Sequence, residues 1–398
     1  MPESRFTFVA PCHFGLEAVV KRELQGMGME VTGTKDGRVF FTAADGPAAL
    51  VRANIGLRSA ERVLLEVARF RACDWDALFE GIRAVAWEDL IPKDARFWVT
   101  KAVSVRSKLF APSTIQSIVK KAMVARLQMK YHLEHFPEDG VSMPLRVFIL
   151  EDEVSVCLDT TGESLHKRGY RKNNVTAPIA ENLAAALVML TPWRADRILV
   201  DPFCGSGTFL IEAAMMAAHI APGIHRGFTA EQWKHLVSES CWKDARREAY
   251  AAIRTDVETD LQGYDIDPQA LEVARTAAEE AGVEDLVHFQ VRDVADLSHR
   301  KKYGFLITNP PYGERLGAED RETLYRLYRT LGERYRALED WSMYVITSYP
   351  DAEKAIGRKA DKNRKLYNGM IETRFYQYYG AKPPARNRAE NGEGRQHA

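Results

Sequence analysis

Asn309, Pro310, Pro311 and Tyr312 form a short run whose groups suit methyl transfer to an amine on a planar ring. An exocyclic amine of guanine or adenine is a poor nucleophile, because its lone pair is delocalised into the ring. The Asn309 side-chain oxygen can accept one N–H of such an amine, and the Pro310 carbonyl, whose direction the two prolines fix, can accept the other. Tyr312 can stack on the base. The run therefore predicts a catalytic loop for methylation of an exocyclic base nitrogen.

A glycine-rich turn predicts the site of the methyl donor. Asp201 ends the apolar strand that begins at Ile198, and glycines follow at 205 and 207 before a helix. Glycines let the backbone pass close to a ligand, and the first free amides of a helix can hold a carboxylate. Asp201 can accept hydrogen bonds from an ammonium group. For this part of the cofactor site the sequence predicts Asp201, Phe203, Gly205, Gly207 and Thr208.

Acidic residues at the ends of the next two strands complete the predicted cofactor site. Asp265, followed by Ile266, can accept both ribose hydroxyls, and Asp293 can accept from the adenine amino group. A helix cap or a loop carboxylate is the alternative for Asp293. Asn309 is also counted among the predicted cofactor-binding residues. Asp267 is the alternative ribose ligand, but it also suits the N-cap of a helix starting at Pro268, and the choice between Asp265 and Asp267 stays open. The cofactor that this series fits is S-adenosylmethionine. Its methyl group sits on a sulfonium, so neither a metal nor a covalent nucleophile is needed.

Two other nucleotide-binding classes have different spacings. A nicotinamide enzyme would carry its acidic residue about 20 residues after a G-x-G-x-x-G loop, whereas 64 residues separate Asp201 from Asp265. A P-loop would continue from its glycines into G-K-[ST], and none follows here. A dehydrogenase and a P-loop enzyme are therefore disfavoured.

The charges of the chain are unevenly distributed although its net charge is +0. Residues 95–133 contain eight basic residues and no Asp or Glu, and residues 166–171 mix basic and aromatic side chains. The first of these runs forms a local basic surface.

The elements that must position these groups change character along the chain. Up to Asp159 short strands alternate with helices, including a long helix over residues 113–132 with Ile115, Ile118 and Ala122 on one face, which predicts small α+β modules. Beyond it, longer helices alternate with short apolar strands, as in a parallel sheet buried on both faces. Asn368-Gly369 predicts a tight hairpin near the end of that sheet. Pro, Gly, Arg and Glu dominate from Gly380 onward and predict a disordered tail.

Composition narrows the broad class of protein. The 398 residues are 46% hydrophobic and 28% charged, with five cysteines that show no C-x-x-C spacing. The start of the chain has no apolar stretch of signal-peptide or membrane-spanning length, so we expect a cytoplasmic protein with reduced thiols and no membrane partner. His132 and His135 have no third ligand nearby, so we expect no metal site. The oligomeric state cannot be read from the sequence.

Several motifs together resemble one known family. The chain is similar to class I S-adenosylmethionine-dependent RNA methyltransferases that carry an N-terminal THUMP domain, particularly those resembling bacterial 23S rRNA guanine-N2 methyltransferases. The resemblance spans nearly the whole chain. It rests on Cys12-His-Phe-Gly-Leu-Glu-Ala, Ser104-Val-Arg-Ser-Lys-Leu, Ile118-Val-Lys-Lys-Ala-Met, Leu165-His-Lys-Arg-Gly-Tyr-Arg171, Asp201–Thr208 and Asn309–Tyr312.

The resemblance implies an architecture and a substrate. It implies a ferredoxin-like module over residues 1–65, a THUMP RNA-binding domain over 66–165, and a Rossmann-like methyltransferase domain over 166–380. The last of these would contain a mostly parallel seven-stranded sheet with an antiparallel final strand, and residues 381–398 would be the tail. Some members of the family fuse a second methyltransferase domain, and we expect none in this chain.

The substrate implied by the resemblance is a guanine N2 in large-subunit rRNA, with Asn309, Pro310 and Tyr312 holding the base. Three alternatives stay open: a tRNA guanine-N2 methyltransferase, a DNA adenine-N6 methyltransferase, and an RNA-binding assembly factor without activity. The choice of guanine over adenine rests on the family alone.

The resemblance also gives the two basic runs a role as RNA phosphate contacts. The alternatives are a solvated helix face and, for residues 166–171, a packing surface between domains. The RNA-binding residues implied in this way are Lys101, Arg106, Lys108, Lys120, Lys121, Lys167, Arg168 and Arg171.

Overall fold

A computed structural model describes residues 6–171, 179–312 and 318–384. The first half alternates strands and helices, as the sequence predicts. Its strands are β1 (Thr7–Pro11), β2 (Glu30–Lys35), β3 (Arg38–Thr42), β4 (Leu64–Arg71), β5 (Arg96–Val105), β6 (Ser142–Leu150) and β7 (Glu153–Asp159). Its helices are α1 (Glu17–Gly26), α2 (Pro47–Gly56), α3 (Trp75–Arg83) and α4 (Pro112–Tyr131).

All seven strands of the first half belong to one sheet, in the order β2-β3-β1-β4-β7-β6-β5. Strand β4 joins the two predicted modules, because it pairs with β1 through Leu64 to Glu66 and with β7 along its whole length. The predicted boundary between residues 65 and 66 lies inside this strand. This boundary is therefore not a flexible linker, because the hydrogen bonds of β4 to its two neighbouring strands hold both modules in one sheet.

Two features of the first half differ from the predicted elements. Helix α2 was not predicted, although Pro47 at its first position is a usual start signal. In α4 the buried face is formed by Ile115, Val119, Ala122, Met123 and Leu127, whereas Ile118 is only partly buried. Ile118 packs against the same hydrophobic cluster as these residues, so it lies at the border of the predicted buried face.

The second half contains the longer helices and the apolar strands. Its strands are β8 (Leu199–Asp201), β9 (Leu261–Asp265), β10 (Val287–Val291), β11 (Phe305–Thr308), β12 (Ser342–Thr347), β13 (Lys362–Asn368) and β14 (Ile371–Tyr378). Its helices are α5 (Glu181–Leu190), α6 (Thr208–Ala217), α7 (Glu239–Ala251), α8 (Pro268–Glu280), α9 (Ala318–Ala337) and α10 (Ala352–Ile356).

The second sheet has the predicted Rossmann-like form. Its order is β10-β9-β8-β11-β12-β14-β13. The first five strands run parallel, and β14 is antiparallel to both β12 and β13. The predicted hairpin joins β13 to β14, but its two loop residues are Gly369 and Met370, one residue later than predicted, because Asn368 is paired with Ile371. Gly369 adopts φ +63°. Buried side chains from α5, α6 and α8 cover one face of this sheet, and side chains from α9 and α10 cover the other.

The segment around α7 packs the second half against the first sheet. The Gly223 N–H donates to the Ile55 carbonyl, and the Ala230 N–H donates to the Thr160 carbonyl. The indole N–H of the fully buried Trp233 donates to the carbonyl of Ser142, the first residue of β6 (2.8 Å). These bonds hold the two halves of the chain in one arrangement.

Residues 385–398, most of the predicted tail, lie outside the described residues. Among the helices in the described ranges, none combines the length and the apolar character that crossing a membrane requires.

Candidate active site

The glycine-rich turn lies at the carboxyl edge of the second sheet, between β8 and α6. Asp201 ends β8 and is almost fully buried. Its Oδ1 accepts hydrogen bonds from the Thr308 hydroxyl (2.6 Å) and from the Phe203 N–H (3.1 Å). Burial raises the pKa of the Asp201 carboxyl to about 7. A neighbouring cation would stabilise the ionised form of this buried carboxyl.

The two glycines of the turn serve different purposes. Both adopt positive φ, +50° at Gly205 and +75° at Gly207. A methyl group on Gly205 would meet no atom within 4 Å, so open space lies beside the turn at this residue. A methyl group on Gly207 would lie 2.7 Å from the Phe289 ring, so Gly207 is needed for close packing of α6 against the sheet. Only Gly205 thus has the room for a ligand that the sequence predicted for both.

Asp265 connects the turn to the next strand. It ends β9, and its Oδ2 accepts the Gly205 N–H (2.9 Å) while its Oδ1 accepts the Asp267 N–H (3.0 Å). Asp267 is exposed and caps α8 by accepting the Gln269 N–H (2.8 Å). Asp265 therefore lies against the glycine turn, and Asp267 performs the capping role that was its alternative.

The remaining predicted cofactor residues surround the same sheet edge. Ile266 follows Asp265 and is 69% exposed, which is unusual for an isoleucine beside a buried strand. Asp293 follows β10 and accepts the Ala295 N–H (2.7 Å), so it caps a short 3₁₀ turn. Thr208 is the first residue of α6 and is buried. Phe203 is half-buried within the turn.

The predicted catalytic loop lies beside the glycine turn. Asn309 directly follows β11, whose last residue, Thr308, makes the hydrogen bond to Asp201. Asn309 is half-buried and Pro310 is buried. On the other side of the loop the Tyr328 hydroxyl, from α9, donates to the Pro311 carbonyl (3.2 Å) and shares a hydrogen bond with the Thr347 hydroxyl (2.6 Å). The loop is thus held on one side by Asp201 at the end of β8. On the other side it is held by Tyr328 of α9, which also binds Thr347 at the end of β12.

Tyr312 packs against the cluster that covers the α9 face of the sheet. Its hydroxyl is buried and has no hydrogen-bond partner among the described residues. Leaving a buried hydroxyl without a hydrogen-bond partner destabilises the folded protein by on the order of 1–3 kcal/mol. A ligand that forms a hydrogen bond with this hydroxyl would recover that free energy.

The predicted RNA-binding residues divide into three groups. Lys101, Lys108, Lys121 and Lys167 are exposed and form no ion pair with another described residue. Arg106 is exposed but bonds to Glu151 (2.9 Å) and Asp36 (3.3 Å). Lys120 binds Glu138 (2.7 Å) and lies over the Phe97 ring. The charge of the basic run is therefore partly neutralised within the protein.

Arg168 and Arg171 point into the protein. Arg168 is 4% exposed, and its guanidinium contacts the fully buried Glu212 (3.3 Å) and donates to the Leu165 carbonyl (2.5 Å). Arg171 donates to the Thr208 hydroxyl (2.6 Å) at the start of α6. The prediction of an RNA contact at Arg168 is wrong, because its donors are used within the core. Arg171 braces the glycine turn instead of reaching solvent.

The sequence did not predict Thr308, Tyr328 or Glu212 as parts of the site. Thr308 could have been noticed, since it is the polar end of an otherwise apolar strand. Tyr328 and Glu212 lie inside helices whose patterns indicate only burial. Their partners are 17 and 44 residues away, so no local signal identifies them.

Three parts of the chain match described protein families. Residues 7–64 match the RlmL ferredoxin-like domain, residues 72–159 match the THUMP domain, and residues 168–377 match the family described as RMKL-like, methyltransferase domain. These matches confirm the predicted order of ferredoxin-like, THUMP and methyltransferase domains.

Relatives cover nearly the whole chain. YpsC of Bacillus subtilis (strain 168), whose name assigns it provisionally to the RNA methyltransferases, is 40% identical over 390 residues, 97% of this chain and 99% of its own. The ribosomal RNA large subunit methyltransferase K/L of Syntrophotalea carbinolica is 35% identical over 93% of this chain. The match covers 53% of that protein, so this chain spans about half of its length.

Solved structures show the same arrangement. SMU.472, a provisionally assigned methyltransferase solved as a complex with SAH, has 41% identity and a TM-score of 0.88 over 96% of this chain and 100% of its own. A Listeria monocytogenes protein has 44% identity and a TM-score of 0.88 over 95% of this chain and 97% of its own. It is described as an N6-adenine-specific DNA methylase by prediction.

Proposed function

This chain belongs to the RMKL-like methyltransferase family, and from that premise we propose that it methylates the exocyclic N2 amine of a guanine in large-subunit rRNA, with S-adenosylmethionine as donor. The observation that carries the proposal is the hydrogen bond between Thr308 and Asp201 (2.6 Å). It ties the loop that would hold the base to the turn that would hold the donor. Methyl transfer requires those two groups to be held in contact.

The residues around the glycine turn fit the donor. Open space beside Gly205 leaves room for it, and the amino terminus of α6 can hold its carboxylate. Asp201 would accept from its ammonium, and Asp265 would accept from its ribose hydroxyls. Ile266 and Phe203 would pack on its adenine, and Asp293 would accept from the adenine amine. The donor supplies an electrophilic methyl group on a sulfonium.

The catalytic loop would hold the guanine. The Asn309 side-chain oxygen and the Pro310 carbonyl would accept the two N–H bonds of the N2 amine, which returns electron density to the nitrogen. Positive charge develops on that nitrogen during transfer, and both oxygens stabilise it. Tyr312 would stack on the base. The bond from Tyr328 to the Pro311 carbonyl keeps the loop in position while the base binds.

Four exposed lysines, Lys101, Lys108, Lys121 and Lys167, remain the proposed phosphate contacts. The THUMP match over residues 72–159 supports an RNA substrate. The name of the K/L relative supports large-subunit rRNA, although that protein is about twice as long. The described chain carries no membrane-spanning helix, and we propose that it acts in the cytoplasm on RNA.

The proposal is tested with purified protein, labelled S-adenosylmethionine and nucleic acids from a strain that lacks the gene. Large-subunit rRNA, tRNA and DNA are assayed separately, and the labelled nucleoside is identified by mass spectrometry. We expect N2-methylguanosine in large-subunit rRNA. Label in tRNA alone would favour the tRNA alternative, and N6-methyladenine in DNA would favour the alternative that the Listeria structure's description supports. Binding of RNA without binding of S-adenosylhomocysteine would favour the inactive assembly factor.

The raised pKa of Asp201 predicts a pH dependence of cofactor binding. Only the ionised carboxyl attracts an ammonium, and with a pKa of about 7 the ionised fraction falls as the pH is lowered. Affinity for S-adenosylhomocysteine should therefore rise by roughly tenfold per pH unit from pH 5 towards 7 and level off above it. Calorimetric titration across this range measures the slope.

Two variants control this experiment. Asp201→Asn should bind more weakly and show no slope between pH 5 and 7, because the titrating group is gone. Asp267→Asn changes an exposed capping carboxyl two residues beyond Asp265 and should keep the slope of the unmodified protein. A slope that persists in Asp201→Asn would assign the titration to another group.

A further inference from the structure

The β13–β14 hairpin extends beyond the sheet edge that carries the candidate active site. The Tyr328 hydroxyl makes hydrogen bonds both to Thr347, at the end of β12, and to the Pro311 carbonyl of the catalytic loop. The end of β12 therefore lies at the same height along the strands as that loop. In the ladder Thr347 is paired with Arg374 of β14. Met370 precedes Arg374 by four residues, and because β14 is antiparallel to β12, these residues continue outward from the carboxyl end of β12. At the usual rise per residue the hairpin tip therefore stands about 14 Å past the edge.

Met370 is 98% exposed at this tip. The hairpin presents it firmly, because β13 and β14 are paired up to Asn368 and Ile371, and Gly369 adopts the positive φ of a tight turn. A single exposed apolar side chain needs no explanation by itself. Met370 is informative because its hairpin extends past the same sheet edge as the catalytic loop, two strands from β11, and because of the nature of its neighbours.

A second exposed apolar residue, Phe14, belongs to the ferredoxin-like module and directly precedes Gly15, which contacts the same hairpin. Phe14 is 61% exposed. A methyl group placed on the next residue, Gly15, would lie 3.6 Å from the Leu366 side chain. The Gly15 carbonyl accepts a hydrogen bond from the Arg364 guanidinium (3.3 Å). Phe14 and Met370 therefore belong to neighbouring segments at one edge of the sheet.

The charge of the hairpin fits a polyanion. Between residues 362 and 374 there are four basic residues, Lys362, Arg364, Lys365 and Arg374, and one acidic residue, Glu372. Only Lys365 is paired with that carboxylate (2.7 Å). A basic surface that also presents exposed apolar and aromatic side chains combines phosphate contacts with stacking on bases.

A continuous chain of contacts joins this hairpin to the THUMP domain. Arg106 contacts Asp36, in the turn between β2 and β3. A methyl group placed on the adjacent Gly37 would lie 3.1 Å from the carbonyl oxygen of Cys12, which is two residues before Phe14. Successive contacts therefore connect the THUMP domain to the hairpin through the β2–β3 turn and residues 12–15.

We propose that Met370 and Phe14 contact the nucleotides flanking the target base and fill the gap that the base leaves when it is taken out of its stack. This inference rests on the proposed function. A base in a structured RNA must leave its stack before its amine can reach a loop such as 309–312, and apolar side chains inserted at the vacated step hold the distorted form. Two apolar side chains at the site edge provide that contact.

The test compares Met370→Ala, Phe14→Ala and the double variant with the unmodified protein in single-turnover methyl transfer. The substrate is RNA from the strain lacking the gene. We expect kcat/KM for RNA to fall roughly ten- to a hundredfold in the double variant, the size of one lost stacking contact. Affinity for S-adenosylhomocysteine and the melting temperature should be unchanged, because both side chains are exposed. The salt dependence should also be unchanged, because no charge is removed.

Matched controls separate contact from bulk hydrophobicity. Met370→Leu should retain activity, because it keeps an apolar side chain of similar size. Tyr250→Ala removes an exposed aromatic side chain near the end of α7, and the chain just after α7 contacts Ala218 at the far end of α6 from the glycine turn. This variant should methylate normally.

Two results are distinguishable. If the unmodified protein methylates RNA and the double variant does so at the same rate, the proposed contact is overturned while the proposed function stands. If the unmodified protein methylates no RNA, the proposed function itself fails.

Discussion

Replacing Asn309 with Ala should lower the turnover number by about a hundred- to a thousandfold, the scale of losing one group that stabilises a transition state, and should leave the affinity for S-adenosylhomocysteine within about threefold. Asn309 belongs to the loop that we propose holds the base, whereas the residues proposed to hold the donor, Asp201, Gly205 and Asp265, belong to other strands and their turn. Single-turnover assays and calorimetric titration measure the two quantities separately. Equal losses of turnover and cofactor affinity would contradict the assignment and indicate a structural role.

Two variants sharpen this experiment. Asn309→Asp keeps an oxygen that accepts from an amine, so it should retain more activity than Asn309→Ala. Tyr328→Phe removes the hydroxyl that donates to the Pro311 carbonyl and should lower turnover by a smaller factor, about tenfold, since the loop loses one hydrogen bond and keeps its catalytic groups. If Tyr328→Phe were as inactive as Asn309→Ala, the loop's position, and not its Asn side chain, would limit the reaction.

Replacing Arg168 with Ala should destabilise the protein by about 3–5 kcal/mol, because it leaves a buried charge without its partner. Glu212 is fully buried, and its Oε1 is shared by Arg168 (3.3 Å) and the Tyr170 hydroxyl (3.1 Å). Its Oε2 already has no hydrogen-bond partner among the described residues. Urea unfolding followed by tryptophan fluorescence measures the change in free energy.

The neighbouring Lys167 is the matched control. It is exposed, so Lys167→Ala should change the free energy of unfolding by less than about 0.5 kcal/mol and should weaken RNA binding. Replacing both partners of the buried pair, as in Arg168→Met with Glu212→Leu, should recover much of the stability that Arg168→Ala loses. If Arg168→Ala were stable but bound RNA poorly, the original prediction of an RNA contact at Arg168 would be reinstated.

The positions of the chemical groups along the chain could be predicted from the sequence alone. Asp201 and Asn309 each follow a short, mostly apolar run, and Asp265 ends the next short strand along the chain from Asp201. Parallel strands bring their carboxyl ends to one edge of a sheet. That local rule placed the three motifs together before any contact was known. The hairpin was equally local, because Gly369 supplies the positive φ that the turn needs, although the turn lies one residue later than Asn368-Gly369.

Only the tertiary structure decided which side chains face one another. Nothing near Arg168 in the sequence distinguishes an arginine that binds RNA from one that pairs with Glu212, 44 residues later. The same limit applies to β4, which proved to be shared by two modules because it pairs with a strand about 90 residues away. Local periodicity reports which face of an element is buried, whereas the partner of that face depends on contacts between distant residues. Sequence therefore determined the groups and the edge where they meet, and long-range packing determined that Thr308, Tyr328 and Arg171 brace them.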